Sequence, residues 1–252
     1  MRSPLNKRLF RELRGEFGKY LVIFILMTLT IGMVSGFLVA DGSMIQAYEE
    51  SFEKYNIENG HFRTEKKMNN VQIQDIEDLG IKLYENYYVE EALTNGSTMR
   101  IFKNRDEVNK VCLMKGKMPE KPGEIGIDRM YADNNDLSVG DEIESGGHTW
   151  KITGLVALSD YSALFSNNND SMFDSVKFGV SVVCPEEFDS CKADQLNYSY
   201  AWKYNTEPKN EKAEKDISED LMEDVAKEVT LEEFVPRYTN QAIIFTGDDM
   251  GG

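Results

Sequence analysis

Apolar residues come in short runs along most of this chain, but Tyr20 to Ala40 is an unbroken stretch of twenty-one residues without a charge. At 1.5 Å per residue it makes a helix about 31 Å long, which matches the roughly 30 Å hydrocarbon core of a bilayer. The stretch therefore predicts a membrane span over residues 20–40, with a buried helix of a soluble domain as the alternative. In front of it, Leu5, Leu9, Leu13 and Phe17 recur every fourth residue while Arg8, Arg11 and Arg14 fall on other faces. This predicts an amphipathic arm over residues 1–19, lying at the inner membrane surface. Behind the span, Met44, Tyr48, Phe52 and Tyr55 keep nearly the same spacing. The helix is expected to continue as a stalk over residues 41–55 and to stop in the Asn56 to Gly60 stretch.

A cleaved signal peptide shares this outline. Its apolar region runs about 7–15 residues and ends in small residues at the cut, whereas this run is longer and offers Leu38-Val39-Ala40. The expectation is an uncleaved anchor. Gly32, Ser35 and Gly36 fall on nearly one face of the span and form a candidate surface for close helix packing.

Beyond Gly60 the pattern turns mixed. A short helix is predicted around Ile73 to Leu79, stopped by Gly80. Thr98 to Phe102 and Val108 to Leu113 are rich in strand formers and flank the polar Lys103-Asn104-Arg105-Asp106, which reads as a hairpin. Strands are also predicted at Glu124 to Asp128, at Trp150 to Leu158 and at Val176 to Val183. Asn167 to Asp170 reads as a loop. Glu207 to Glu219 is a charged linker or an exposed helix leading to Leu221 to Val229. The fold class is α+β: one N-terminal transmembrane helix with an amphipathic cytoplasmic arm, then a mixed α/β extracytoplasmic domain over residues 56–252.

Charge fixes the expected orientation. Six basic and two acidic residues lie before position 41, so a whole-chain charge of -16 leaves -20 for the rest. Basic flanks stay on the cytoplasmic side, which places the N-terminus inside and the main domain outside the cell membrane. An acidic outer surface repels phosphate backbones, so nucleic acid is not an expected partner. Cys112, Cys184 and Cys191 cannot all pair within the chain. Cys184 and Cys191 either join across Pro185-Glu186-Glu187-Phe188 or sit as reduced core residues beside the Val180 to Val183 run.

Motifs for chemistry are sparse. The sequence has no P-loop, no Gly-x-Ser-x-Gly elbow and no His-Glu-x-x-His spacing, and its two histidines, His61 and His148, stand far apart. Ser51-Phe52-Glu53-Lys54 matches Ser-x-x-Lys, but its usual Ser-Asp-Asn and Lys-Thr-Gly companions are missing. Asp133 to Asp136 begins like a calcium loop, yet Ser138 stands where the loop needs glycine. Asn95-Gly96-Ser97, Asn169-Asp170-Ser171 and Asn197-Tyr198-Ser199 fit the glycosylation rule, which matters only in a cell that glycosylates. The chain is expected not to be an enzyme, with no catalytic residue, cofactor or metal assigned.

Gly116-Lys117-Met118-Pro119, Gly123-Glu124-Ile125-Gly126-Ile127, Tyr131-Ala132, Leu137-Ser138-Val139-Gly140-Asp141 and Trp150-Lys151-Ile152-Thr153-Gly154-Leu155 form a strand, helix and returning strand. This run resembles the extracytoplasmic core of FtsX-like, MacB-type ABC transporter permeases. The likeness extends to the basic arm, the first span and the closing Asn240 to Gly251 stretch, which in that family sits just before a second membrane helix. It implies a permease subunit, here expected to be cut short before that helix. The implied partners are a cytoplasmic ABC ATPase, a second permease copy or paralogue, the lipid bilayer, and an extracytoplasmic peptide, lipoprotein, antibiotic or cell-wall partner. A single-span receptor or binding module is the alternative, and an anchored hydrolase using Ser51 and Lys54 a more distant one.

Overall fold

The first helix, α1, runs without a break over Phe17–Lys54. The structure, a computed structural model, describes residues 14–145 and 147–245, without the side chains at 37–38, 40–45, 47 and 49. Most of the predicted arm, the Met44 side chain and the chain after residue 245 lie outside that description. The apolar segment Phe17–Gly36 exposes every side chain. Exposure of an apolar helix on all sides suits lipid and not water. The chain divides into two compact units, Met1–Tyr48 and Glu49–Gly252.

The second unit is built on two sheets. After β1 (Gly60–Thr64) come the short helix α2 (Asn70–Glu77), β2 (Ile81–Glu85), β3 (Tyr88–Ala92), β4 (Thr98–Lys103) and β5 (Val111–Gly116). Next are β6 (Glu124–Asp128), α3 (Arg129–Asn134), β7 (Glu142–Ser145), β8 (His148–Leu158) and β9 (Phe178–Val183). Then follow α4 (Pro185–Asp189), β10 (Tyr198–Tyr204), α5 (Glu211–Glu228) and β11 (Leu231–Pro236). Four strands pair in the order β11-β1-β10-β2, and the larger sheet runs β3-β4-β9-β6-β8-β5 with β7 joined to β8.

The Gly116 to Leu155 run folds as its pattern predicts. β6 pairs in parallel with β8, and Asp128 caps α3 between them by accepting from the Met130 and Tyr131 amides at 2.7 and 3.1 Å. Gly116 is obligatory at the turn into this unit. Its φ is +80°, and a Cβ there would sit 2.3 Å from the Thr153 carbonyl oxygen.

The predicted hairpin between Thr98 to Phe102 and Val108 to Leu113 does not form. β4 pairs antiparallel with β3 and parallel with β9, while β5 joins the far side of the sheet against β8. The intervening loop is not a solvated turn, because Val108, Asn109 and Arg105 are buried. The charged stretch after Pro208 is helical from Glu211, and Ser218, Leu221 and Val225 are its buried stripe. All three cysteines are free and Cys184 is buried, so the reduced alternative holds for the Cys184 and Cys191 pair.

One continuous apolar cluster links the two sheets. In the smaller sheet it is aromatic: Trp202 stacks on Phe234 at 4.8 Å, and Phe62 lies 5.7 Å from Tyr200 and 6.3 Å from Phe234. Such pairs contribute about 0.5–1.5 kcal/mol each beyond their buried area. Gly60 makes room for them, since a Cβ there would meet the Trp202 ring at 2.3 Å.

Candidate functional site

The stalk residues nearest the second unit are tied into it. α1 ends in a two-bond C-terminal cap: Asn56 takes the left-handed conformation at φ 48°, its amide donates to the Glu53 carbonyl at 3.2 Å, and the Ile57 amide donates to the Phe52 carbonyl at 2.9 Å. This is the Schellman arrangement with asparagine where glycine is usual, a substitution asparagine tolerates because its short polar side chain fits that conformation. Ile57, the residue after the cap, is fully buried.

The loop Asn104 to Lys110, between β4 and β5, grips this helix end. The Lys110 amide donates to the Tyr55 carbonyl at 2.8 Å, the Asn109 amide to the Asn56 carbonyl at 3.1 Å, and Asn56 Nδ2 to the Glu107 carbonyl at 2.8 Å. Tyr55 Oη donates to Cys112 Sγ at 3.0 Å, and the Arg237 guanidinium lies 5.6 Å from the Phe52 ring centre. Phe52 and Tyr55 thus lie at this anchorage. Tyr48 is half-buried. Gly32, Ser35 and Gly36 are exposed, with open space where a Cβ would stand on either glycine.

Two buried polar residues in the post-helix segment extend the grip. Glu58 and Asn109 pair reciprocally, the Glu58 amide donating to Asn109 Oδ1 at 2.9 Å and Asn109 Nδ2 to Glu58 Oε2 at 2.6 Å. Glu58 Oε1 also holds His61 Nδ1 at 2.5 Å. Burial pushes the Glu58 carboxyl up, but the His61 charge and its hydrogen bonds outweigh burial and leave it below its ordinary value. For His61, burial pushes the imidazole down and the Glu58 carboxylate more than reverses it, raising it above its ordinary value. Asn59 is as deeply placed: its amide donates to the Trp202 carbonyl, its carbonyl accepts from the Arg237 amide, and its side chain bridges the Tyr204 amide and Glu207.

The gripping loop also carries a buried ion pair to the segment after β8. Arg105 donates both terminal nitrogens to Asp160, at 2.7 and 2.8 Å, and one of them to Asn86 at 3.1 Å. Burial drives the Asp160 carboxyl up against the pull of Arg105. Two clefts open on either side of this pair. One, of about 550 Å³, is walled by Glu58, His61, Arg100, Asp160 and Asn240; the other, of about 580 Å³, by Arg105, Tyr84, Tyr87, Phe188 and Tyr198.

Sequence patterning points to the helix end but not to Glu58, Asn59, His61, Arg105 or Asp160. Ser51 and Lys54 sit on the last turn of α1, where the Lys54 ammonium lies over the Tyr55 ring at 5.1 Å. Asp133 lies in α3 and ion-pairs with Arg129 at 3.2 Å. Among the described residues no group of three His, Cys, Asp or Glu side chains is placed to hold a metal.

No family model and no curated protein matches the chain. Among solved structures it is similar to the periplasmic region of MacB from Actinobacillus actinomycetemcomitans, at 11% identity and TM-score 0.36, over 68% of this chain and 85% of that one. It is also similar to the extracellular domain of the ABC-type transporter YknZ from Gram-positive bacteria, at 8% identity and TM-score 0.37, over 67% and 92%. A third similar structure is a Bacillus anthracis protein described as a lipoprotein, at 12% identity and TM-score 0.34, over 70% and 96%.

Proposed function

We propose that the chain is the first membrane helix and outer domain of an FtsX/MacB-type ABC transporter permease. In this reading residues 1–19 form the cytoplasmic arm, 20–40 the span, 41–55 the stalk and 56–252 the outer domain. ATP-driven movement in a partner ATPase shifts α1, and the outer domain acts on a peptide, lipoprotein, antibiotic or cell-wall partner. The chain has no chemistry of its own. Gly32, Ser35 and Gly36 would receive another helix of the same or a second permease chain.

The observation that carries the reading is the end of α1. A tether needs no more than a flexible connection, whereas here the helix cap, the Asn104 to Lys110 loop and buried Glu58 and Asn59 fix the last turn to both sheets. Displacement of that turn would have to move the domain that holds it. The test is to co-express the gene with its neighbouring ATPase and purify in detergent. Co-purification, with ATPase activity altered by deleting residues 56–235, supports the permease. A lack of any ATPase partner leaves a single-span binding protein, the reading favoured by the two clefts.

A further inference from the structure

The smaller sheet has two unlike faces. One packs Phe62, Tyr200, Trp202 and Phe234 into the apolar core. On the other, the register sets Arg63 opposite Ser199 and Glu233, and His61 opposite Ala201 and Val235. His61, Arg63, Ser199 and Glu233 therefore share one face by strand alternation, and all four wall the 550 Å³ cleft.

Three side chains of this wall carry polar groups that no described residue uses. Glu58 occupies His61 Nδ1, so Nε2 is the free nitrogen of that ring. Asn240 Oδ1 accepts from the Ala242 amide at 3.1 Å, and because a backbone N–H only donates, the group left over is the Nδ2 donor. Ser199 Oγ is the third. Ser199 and Asn240 are only 3% and 5% exposed, yet their spare atoms and His61 Nε2 remain open to solvent, unlike Nε of Arg63 and Arg105. All three residues line the cleft.

We propose that this cleft binds an uncharged, polyhydroxylated ligand of one or two sugar rings, whose oxygens engage His61 Nε2, Ser199 Oγ and Asn240 Nδ2. The volume falls in the range of small-molecule sites. Charge in the walls is already matched: Glu58 pairs with His61, Asp160 with Arg105, Glu90 with Arg100 and Glu233 with Arg63, while Asp174 and Lys177 add one charge of each sign. An ionic ligand finds no net counter-charge there. An aromatic ligand finds no open ring to stack on, since Arg100 lies over Tyr88 and Phe178 at 4.5 and 5.0 Å and Arg105 over Phe102 at 4.6 Å. A hydroxyl both donates and accepts, which suits a donor at Asn240, a two-way group at Ser199 and a ring nitrogen whose role follows its proton. The three residues lie within Glu49–Gly252, so the site stands whether or not the chain serves a transporter.

The test uses the full chain in a detergent without sugar headgroups and saturation-transfer NMR titrations of N,N′-diacetylchitobiose, an uncharged two-ring sugar. Saturable transfer is expected. The deacetylated, cationic sugar and the capped peptide acetyl-trialanine amide are expected to bind about tenfold more weakly, the equivalent of one lost hydrogen bond. Ser199→Val removes the hydroxyl, and Asn240→Asp removes the donor while keeping the acceptor for the Ala242 amide. Each is expected to weaken binding about tenfold and the two together to abolish saturable transfer. Absence of saturable transfer, equal or tighter binding of the peptide or the cationic sugar, or binding untouched in the double variant overturns the proposal. Should the double variant fail to fold, the single variants and the ligand series decide.

Discussion

Arg105 and Asp160 show how much one residue can hold. Their bidentate pair is almost fully buried, at 6% and 3% side-chain exposure, where removing one partner strands the other's charge and costs about 3–5 kcal/mol. Arg105→Met alone is expected to lower stability by that amount in chemical denaturation. Arg105→Met with Asp160→Leu should recover most of it, since a well-packed apolar pair often equals a buried ion pair. Asp128 poses the opposite case. Burial lifts its carboxyl from 3.8 to about 6 against the helix-cap amides that pull it down. A folded value above the unfolded one contributes stability that is complete below pH 3.8 and disappears as pH rises through about 6. Asp128→Asn keeps the cap acceptor without the charge, so it should melt like wild type near pH 4 and be more stable at pH 8 by up to about 3 kcal/mol. His61 and Glu58 add a second pH signature. His61, raised, stabilises below its ordinary 6.5 and loses this as pH climbs through its folded value. Glu58, lowered, stabilises above its ordinary 4.5 and loses this as pH falls through its own. Their joint contribution is therefore full between those two ordinary values, and His61→Asn should flatten the alkaline limb of the melting profile relative to wild type.

At the scale of elements, the decisive feature is the end of α1. Asn56 both adopts the left-handed cap and donates to the Glu107 carbonyl. Asn56→Gly keeps the first role and loses the second, for about 1 kcal/mol. Asn56→Ala loses both, for about 2 kcal/mol, and Asn56→Val more, because a branched side chain resists that conformation; thermal melts of the three should fall in that order. The helix, its stop at Asn56 and the strand-helix-strand run from Glu124 to Leu158 were legible because local pattern decides them. The hairpin failed for a reason of the same kind. A polar turn between strand-forming runs fixes neither partner, and the actual neighbours of β4 are β3 and a strand 80 residues later, Phe178–Val183. Strand β10 carries its own sign, Tyr198, Tyr200, Trp202 and Tyr204 at every second position, yet it is not among the predicted strands. The buried charges have no such sign. Glu58, His61, Arg105 and Asp160 come from three separate segments, and their meeting depends on sheet order rather than on spacing.

For the molecule as a whole, two different surfaces carry opposite demands. Phe17–Gly36 exposes apolar side chains on every face, while the part after residue 40 carries a net charge of -20 and is suited to water. In lipid the apolar effect does not drive helices together, so association rests on close backbone approach at small residues. Gly32 and Gly36 are the proposed positions for that approach, and a methyl group added at either meets nothing within 4 Å in the chain itself. Gly32→Leu with Gly36→Leu should weaken pairing of α1 with another membrane helix by about tenfold or more, read as loss of cross-linking between chains in native membranes. The melting of the Glu49–Gly252 unit should not change, because it is a separate compact unit. Unchanged cross-linking in the double variant would move the contact to another face of the span.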